Sequence, residues 1–432
     1  MSSCQPHEDA PVFRVIAIPH LCDGIAQHLR PRDALRALQT CRDFYTAFLP
    51  YRWRTLESEL FAEEYYQTIF PDHPTPEVES ALVSYGAGFV RHINFSFEQS
   101  RLSELLLENG LHCSRLESIR QHGHLDEELP SNRRMHWWNC EGICGHYNNI
   151  SFTAWYSTTI PLRTLVLDMA YRNSSTLQSL ILEAMSNPTE PMTFLTELTR
   201  VIPLLENLKV LKLGCMPWVT AVNMFLRLPP RVEDLALRVC QKVTTEFDKG
   251  SDDDIRAVGT SRRAVWALKD DLTNMATKAS VTKLSLVWTC DPDLMWIVYE
   301  MLGHCPNLRS LRLPYIYESR VDGFFSTVAT NWPRKLEELD LSKFAARDCE
   351  YADFLNTIFP NHEETREESG AGLRSITLHG EYECGIQFKS ALAGHVSTLE
   401  RISVFGCGQT IRSRDILAWL ENLSSIGYVA HV

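Results

Sequence analysis

Cys305-Pro306-Asn307-Leu308-Arg309-Ser310-Leu311-Arg312-Leu313 holds the pattern that decides the fold: an apolar residue, two others, an apolar residue, one other, an apolar residue. The same spacing recurs along the chain. It reads Val90-Ile93-Phe95, Leu162-Leu165-Leu167, Leu208-Leu211-Leu213, Val232-Leu235-Leu237 and Val281-Leu284-Leu286. After Leu313 it reads Leu336-Leu339-Leu341, Leu373-Ile376-Leu378 and Leu399-Ile402-Val404. The last two apolar positions of each unit alternate, as in a short strand with one buried face. With the middle residue as a ruler, neighbouring units fall 24 (211 to 235), 27 (284 to 311), 28 (311 to 339) and 26 (376 to 402) positions apart. That lies within the period of roughly 20–29 residues found in stacked strand–helix repeats.

Between the strands the periodicity turns helical. Leu294, Ile297, Val298, Met301 and Leu302 follow helical spacing, as do Phe324, Phe325 and Val328, then Phe354, Leu355, Ile358 and Phe359. Ile416, Leu417, Leu420 and Leu423 predict a last helix that caps the array, with Ser413 or Asp415 as its N-cap. One strand and one helix cannot bury their apolar faces alone, but stacked units can. The expected fold class is therefore α/β: a curved solenoid with parallel strands on the concave side and helices on the convex side.

Longer steps mark insertions. From 339 to 376 the step is 37 and contains the polar tract 361–372; from 235 to 284 it is 49 and contains Asp248–Asp254. An acidic loop with a lengthened helix, or a degenerate repeat, would serve equally well in the second case. The step from 93 to 165 leaves room for about two irregular units, with Leu116-Ile119 and Met135-Trp138-Cys140 as weak candidates. Cys240 and Cys407 stand at the Asn/Cys turn position of such a repeat, and Cys215 and Cys290 one residue off it.

Composition bounds the function. The chain has 432 residues, 44% of them hydrophobic and 22% charged, which excludes a chain disordered throughout. Its net charge of -12 disfavours broad nucleic-acid binding, and no apolar run is long enough for a membrane helix. Thirteen cysteines without an export signal read as reduced thiols, so a cytoplasmic or nuclear location is expected.

Residues 1–60 lack the repeat. Leu21, Ile25 and Leu29 are spaced by four on one helical face, and Pro19 suits the helix start. Pro31 and Asp33 open a second helix carrying Leu35 and Leu38; Cys41-Arg42, Phe44 and Phe48 continue into a third, and Trp53 and Leu56 follow Pro50. This three-helix segment resembles an F-box, and the whole chain resembles fungal-type F-box proteins with a leucine-rich-repeat tail. The expected organisation is a flexible N-terminus (1–15), an F-box (16–57), a connector (58–84) and a repeat domain (85–432) with insertions near 244–258 and 361–372.

The resemblance implies the non-catalytic substrate-recognition subunit of a cullin-based ubiquitin ligase. Pro19, Leu21, Ile25, Leu29, Leu35 and Leu38 would dock a Skp-type adaptor joined to a cullin scaffold, and the repeats would hold a protein substrate. The alternative is an interaction scaffold without a ligase role. Substrate contacts are expected on the concave face at Lys212, Arg238, Lys283, Arg312, Glu338, Asp340, His379 and Phe405. The first four form a basic lane that could hold an acidic or phosphorylated segment, or be ordinary solvated charge balanced by Glu233 and Asp234. Cys140, Cys144 and His146, with His122 and His124 upstream, match no standard zinc spacing, and no phosphate loop or nucleophile elbow occurs. No metal, cofactor, nucleic acid or membrane is expected as a partner.

Overall fold

The computed structural model describes residues 18–29, 36–37, 39–57, 86–95, 106, 113–121, 165–182, 192–216, 218–239, 264, 266–287, 295–313, 333, 335–341, 355–356, 372–379, 391–392, 398–405 and 409–412. The chain divides into two units, one formed by Met1–His124 with Ala154–Ile181, the other by Leu125–Thr153 with Leu182–Val432.

In the first unit, helix α1 (Pro19–His28) begins with proline at its first turn, and helix α2 (Arg42–Arg52) follows Cys41 in extended conformation. Residues 36–37 and 39–40 are helical too. The Cys22 thiol lies 3.9 Å from the Ala47 carbonyl, so the two helices meet there. Phe48 is buried and stacks on Phe44, with ring centroids 5.6 Å apart. Strands β1 (Thr55–Glu57), β2 (His92–Phe95) and β3 (Ser118–Gln121) pair in parallel, with Leu56, Ile93 and Ile119 in one buried row. Strand β4 (Ser179–Leu182) follows β3 in the order.

In the second unit, strands and helices alternate. Helix α3 (Met192–Val201) precedes β5 (Val210–Met216), and helix α4 (Trp218–Leu226) leads to β6 (Asp234–Val239). Helix α5 (Lys269–Thr273) comes before β7 (Lys283–Val287), and helix α6 (Met295–Gly303) before β8 (Ser310–Arg312). Then come β9 (Glu338–Asp340), β10 (Ser375–His379), β11 (Arg401–Phe405) and β12 (Gln409–Arg412). From β5 to β11 each strand pairs in parallel with the next, and β12 turns back antiparallel to β11. A repeating strand–helix unit with parallel strands in chain order resembles a leucine-rich-repeat solenoid.

The reason these residues make these strands is visible in the burial. Leu211, Leu235, Leu284, Leu311, Leu339, Ile376 and Ile402 stand in one row and are almost wholly buried. Burying such a side chain is worth about 1.5–3 kcal/mol, and β6 shows strict alternation of half-buried and buried residues. In several coils the first apolar residue closes a turn onto the residue three before it. Leu208 N–H donates to Leu205, Val232 to Pro229, Val281 to Lys278, Leu308 to Cys305 and Leu336 to Pro333.

A second backbone device ties coil to coil. The carbonyl just before each strand accepts from two successive N–H groups of the next coil. Lys209 accepts from Glu233 and Asp234, Glu233 from Thr282 and Lys283, Thr282 from Arg309 and Ser310, and Arg309 from Glu337 and Glu338. Arg54, Arg91 and Glu117 do the same in the first unit. At Gly372 the coils come so close that an added Cβ would lie 2.6 Å from Thr398 Cγ2.

Two expectations are revised. Leu162-Leu165-Leu167 is not a strand: residues 165–172 are helical, and the strand of that coil is β4, framed by Leu177, Leu180 and Leu182. Leu165, Val166, Met169 and Ala170 are buried at helical spacing, so the same letters satisfied the other period. Thr55–Glu57, placed in the helical box, is strand β1. Trp53-x-x-Leu56 has the spacing of Val90-x-x-Ile93, and both of its residues are buried. Cys215 stands one residue off the expected turn position, as its spacing implies. The register shifts between Leu213 and Cys215, at Gly214, which sets Cys215 opposite Arg238 inside the strand.

Other expectations hold. Leu116-Ile119 is part of a repeat, and α6 buries Ile297, Val298, Met301 and Leu302. β6 pairs directly with β7 and β9 directly with β10, while the tracts 244–258 and 361–372 lie outside the described residues. The helices expected at 324–328 and 416–423, together with Cys240, Cys290 and Cys407, lie outside the described residues, as do all but Leu355 of the 354–359 pattern.

Candidate interaction surfaces

Helix α1 presents the first surface. Its inward face carries buried Cys22, while Ile18, Leu21 and Ile25 remain 37%, 41% and 40% exposed. They fall at spacings of three and four, on one side of the helix. Leu29 is half-buried at its C-terminal end, and Pro19 occupies the first helical turn. Leu35 and Leu38 lie outside the described residues. Tyr45 on α2 is also exposed.

The open face of the strands in the second unit is the other surface. It carries the residues between the buried positions. Lys212 Nζ lies 3.0 Å from an Asp234 carboxylate oxygen on the next strand, and Arg312 Nε lies 3.3 Å from Asp340. The expected basic lane is thus partly neutralised from within: two of its four cations already hold a carboxylate. Arg238 and Lys283 have no ion-pair partner among the described residues, and Glu338 is exposed. His379 and Phe405 stand on β10 and β11 opposite one another in register.

A ladder of opposite charges runs along the strand starts. Arg309 pairs with Glu337 at 3.1 Å, Glu337 with Arg374 at 3.8 Å, and Arg374 with Glu400 at 3.5 Å. Arg91 and Glu117 do likewise in the first unit, at 3.0 Å. Apolar periodicity gave no sign of this row, because it occupies one of the unspecified positions, directly after the first apolar residue of each pattern; the letters Arg, Glu, Arg, Glu at matching positions of successive repeats are the signal that would find it. Trp266 was also missed. It is 44% exposed, packs on Trp296 at 5.1 Å between centroids, and has Lys269 Nζ 5.1 Å from its ring.

The titratable groups inside the coils are structural. Burial pushes the Cys113 and Cys305 thiols up to about 12, far from a reactive thiolate. Lys278 occupies the turn position held elsewhere by Leu205, Pro229 and Cys305, and its ammonium donates to the carbonyls of Leu226 and Leu228, at the end of α4. Burial lowers its pKa and the neighbouring Cys305 opposes that. His92 is lowered mainly by burial, against the pull of Glu117. Among the described residues no group of three or more His, Cys, Asp or Glu is placed to hold a metal ion, and no helix is long and apolar enough to cross a membrane. Cys140, Cys144 and His146 lie outside the described residues.

No family model and no curated protein matches the chain. Among solved structures, the leucine-rich repeat-containing protein LegL7 from Legionella pneumophila is similar, with 14% sequence identity and a TM-score of 0.35. The match covers 78% of this chain and 99% of that one.

Proposed function

We propose that the chain is a non-catalytic protein-interaction scaffold, with the open strand face receiving one partner and the apolar side of α1 docking another. The observation that carries this reading is the exposure of Ile18, Leu21 and Ile25 together on one side of a short helix, beside the buried Cys22 that packs it against α2. Large aliphatic residues grouped on one surface mark a contact site more often than isolated ones do. Stacked repeats complement this, since their strands offer a broad, rigid face whose side chains can vary without disturbing the core.

A narrower reading makes the partner of α1 a Skp-type adaptor, and the chain the substrate receptor of a cullin-based ubiquitin ligase. The F-box resemblance, the position of the helical segment ahead of the repeats, and the exposure of Leu21 and Ile25 support it. The scaffold would then act by holding substrate lysines near a charged conjugating enzyme, a gain in effective concentration with no chemistry of its own.

Affinity capture with the full chain and with Leu21→Asp and Ile25→Asp variants tests both readings. A charge placed on the apolar stripe abolishes capture of the α1 partner while the thermal midpoint stays within about 2 °C, because both side chains are already exposed. Recovery of a Skp-type adaptor by the unaltered chain alone supports the ligase reading; recovery of other proteins alone leaves the scaffold. Equal capture by all three chains removes α1 as a docking helix. Point variants are preferable to deleting the first sixty residues, which would remove β1 and the buried Trp53 and Leu56.

A further inference from the structure

The open face over β5–β8 is basic in a chain whose net charge is -12. Its charged positions are Lys212, Arg238, Lys283 and Arg312 against Asp234 alone. Lys212 holds Asp234, and Arg312 holds Asp340 from β9. Arg238 and Lys283 remain without an ion-pair partner among the described residues. Between them lie only small side chains: Ala236 pairs in register with Ser285, in the row between that of Lys283 and that of Arg238.

The register fixes how far apart the two cations are. Lys283 stands opposite Asp234, and Arg238 opposite Val287, four residues further along. Four residues of strand rise about 13 Å, and one strand step adds about 4.8 Å sideways, so their Cα atoms are about 14 Å apart. With both side chains standing upright from the sheet, their charges stay about that far apart, over two separate sites and not one phosphate. They match two carboxylates four residues apart on an extended segment, which also spans about 13 Å. The Ala236–Ser285 floor leaves room for the backbone of such a segment to lie flat.

We propose that this face docks an extended peptide segment bearing carboxylates at positions i and i+4, one on Lys283 and one on Arg238. The proposal rests on the reading of the strand face as a partner-binding surface and names the chemistry of that partner. The paired Lys212 and Arg312 flank the track and add positive potential, while Asp340 and Glu338 on β9 end it. An acidic segment running on past β8 would meet like charge there, which limits the length of the acidic stretch the face accepts.

The test is a titration of the full chain with end-blocked, fluorescein-labelled peptides in low salt. The probe is a Thr/Ser peptide with glutamate at every fourth position. One control groups the same glutamates together, another replaces them with lysine, and a third carries a single phosphoserine. The spaced-glutamate peptide binds saturably, and Arg238→Glu with Lys283→Glu weakens it about tenfold or more. Arg309→Glu, a reversal on the strand-start ladder, changes the affinity less than about twofold. Should the double reversal lower stability, Arg238→Gln with Lys283→Gln keeps the side-chain length and still costs about threefold or more. Equal binding by the double variant, equal binding of the lysine peptide, tighter binding of the clustered or phosphorylated peptide, or no saturable binding overturns the proposal. Capture through α1 is read separately. If capture persists while the peptide fails, only this inference falls; if the peptide binds while capture fails, the α1 docking reading falls.

Discussion

Asn173 is buried at the end of the helical segment 165–172, and both ends of its amide are used. Its Oδ1 accepts from Leu116 N–H at 3.2 Å and its Nδ2 donates to the Met169 carbonyl at 2.8 Å. Thr176 supports the same join by donating to the Leu116 carbonyl. One side chain therefore closes a helix end and fastens it to the preceding coil. Asn173→Ala leaves the buried Leu116 N–H without its partner, while the Met169 carbonyl keeps the backbone N–H of residue 173, and destabilises the chain by about 1–3 kcal/mol, read as a lower urea midpoint. The two buried thiols give a second residue-scale prediction. Cys113 and Cys305 rise from 9.0 to about 12 in the folded chain, which therefore keeps protons that the unfolded chain releases. Their stabilising contribution is complete below pH 9.0 and is lost as pH climbs toward about 12. Lys278 works in the opposite sense below 10.5, since its folded pKa is lowered. Denaturant midpoints between pH 8 and 11 should fall less steeply for Cys113→Ala with Cys305→Ala than for the unaltered chain. Parallel slopes would refute the assignment.

At the scale of the element, the strand starts combine a backbone device with a side-chain one. The twice-accepting carbonyl needs no particular side chain, so the same position is free to carry the Arg309–Glu337–Arg374–Glu400 ladder. Arg309, Arg374 and Glu400 are more than half exposed and Glu337 is part-exposed, and pairs at the surface are worth about 0–1 kcal/mol each. Glu337→Gln, which removes the charge shared by two arginines, accordingly lowers the denaturant midpoint only slightly, and the loss shrinks further in 0.5 M salt. A large, salt-insensitive loss would mean that the carboxylate serves a buried role. The elements also show what the sequence could and could not reveal. Strands came through because each repeats one apolar row at a fixed spacing and that row is buried from Leu211 to Ile402. Leu162-Leu165-Leu167 misled because its spacing also fits a helix, and only Asn173 and Leu177 downstream mark where that helix stops. On the strand face, Lys212 and Arg312 were legible as exposed cations, but their pairing with Asp234 and Asp340 depends on register between strands. No single strand carries that information.

Across the whole molecule, the units that stack are linked mainly to their neighbours, as solenoids are. Damage should therefore remain local before it becomes global. Leu339→Asp places a carboxylate in the buried row of β9, between Leu311 and Ile376. Amide exchange should accelerate first in β8, β9 and β10, while β5 and β6 keep their protection in low denaturant. Uniform acceleration would show a single cooperative block instead. The direct pairing of β6 with β7 has a wider consequence. Leu235 and Leu284 lie 49 positions apart in the chain, yet the two sit side by side in paired strands. The lattice that holds these strands thus records only which coil comes next and is blind to how much chain was spooled out on the way. Such a seam can lengthen or shorten through evolution without a single ladder bond being redrawn, and it is where this protein can acquire new recognition loops while its binding face stays as it is.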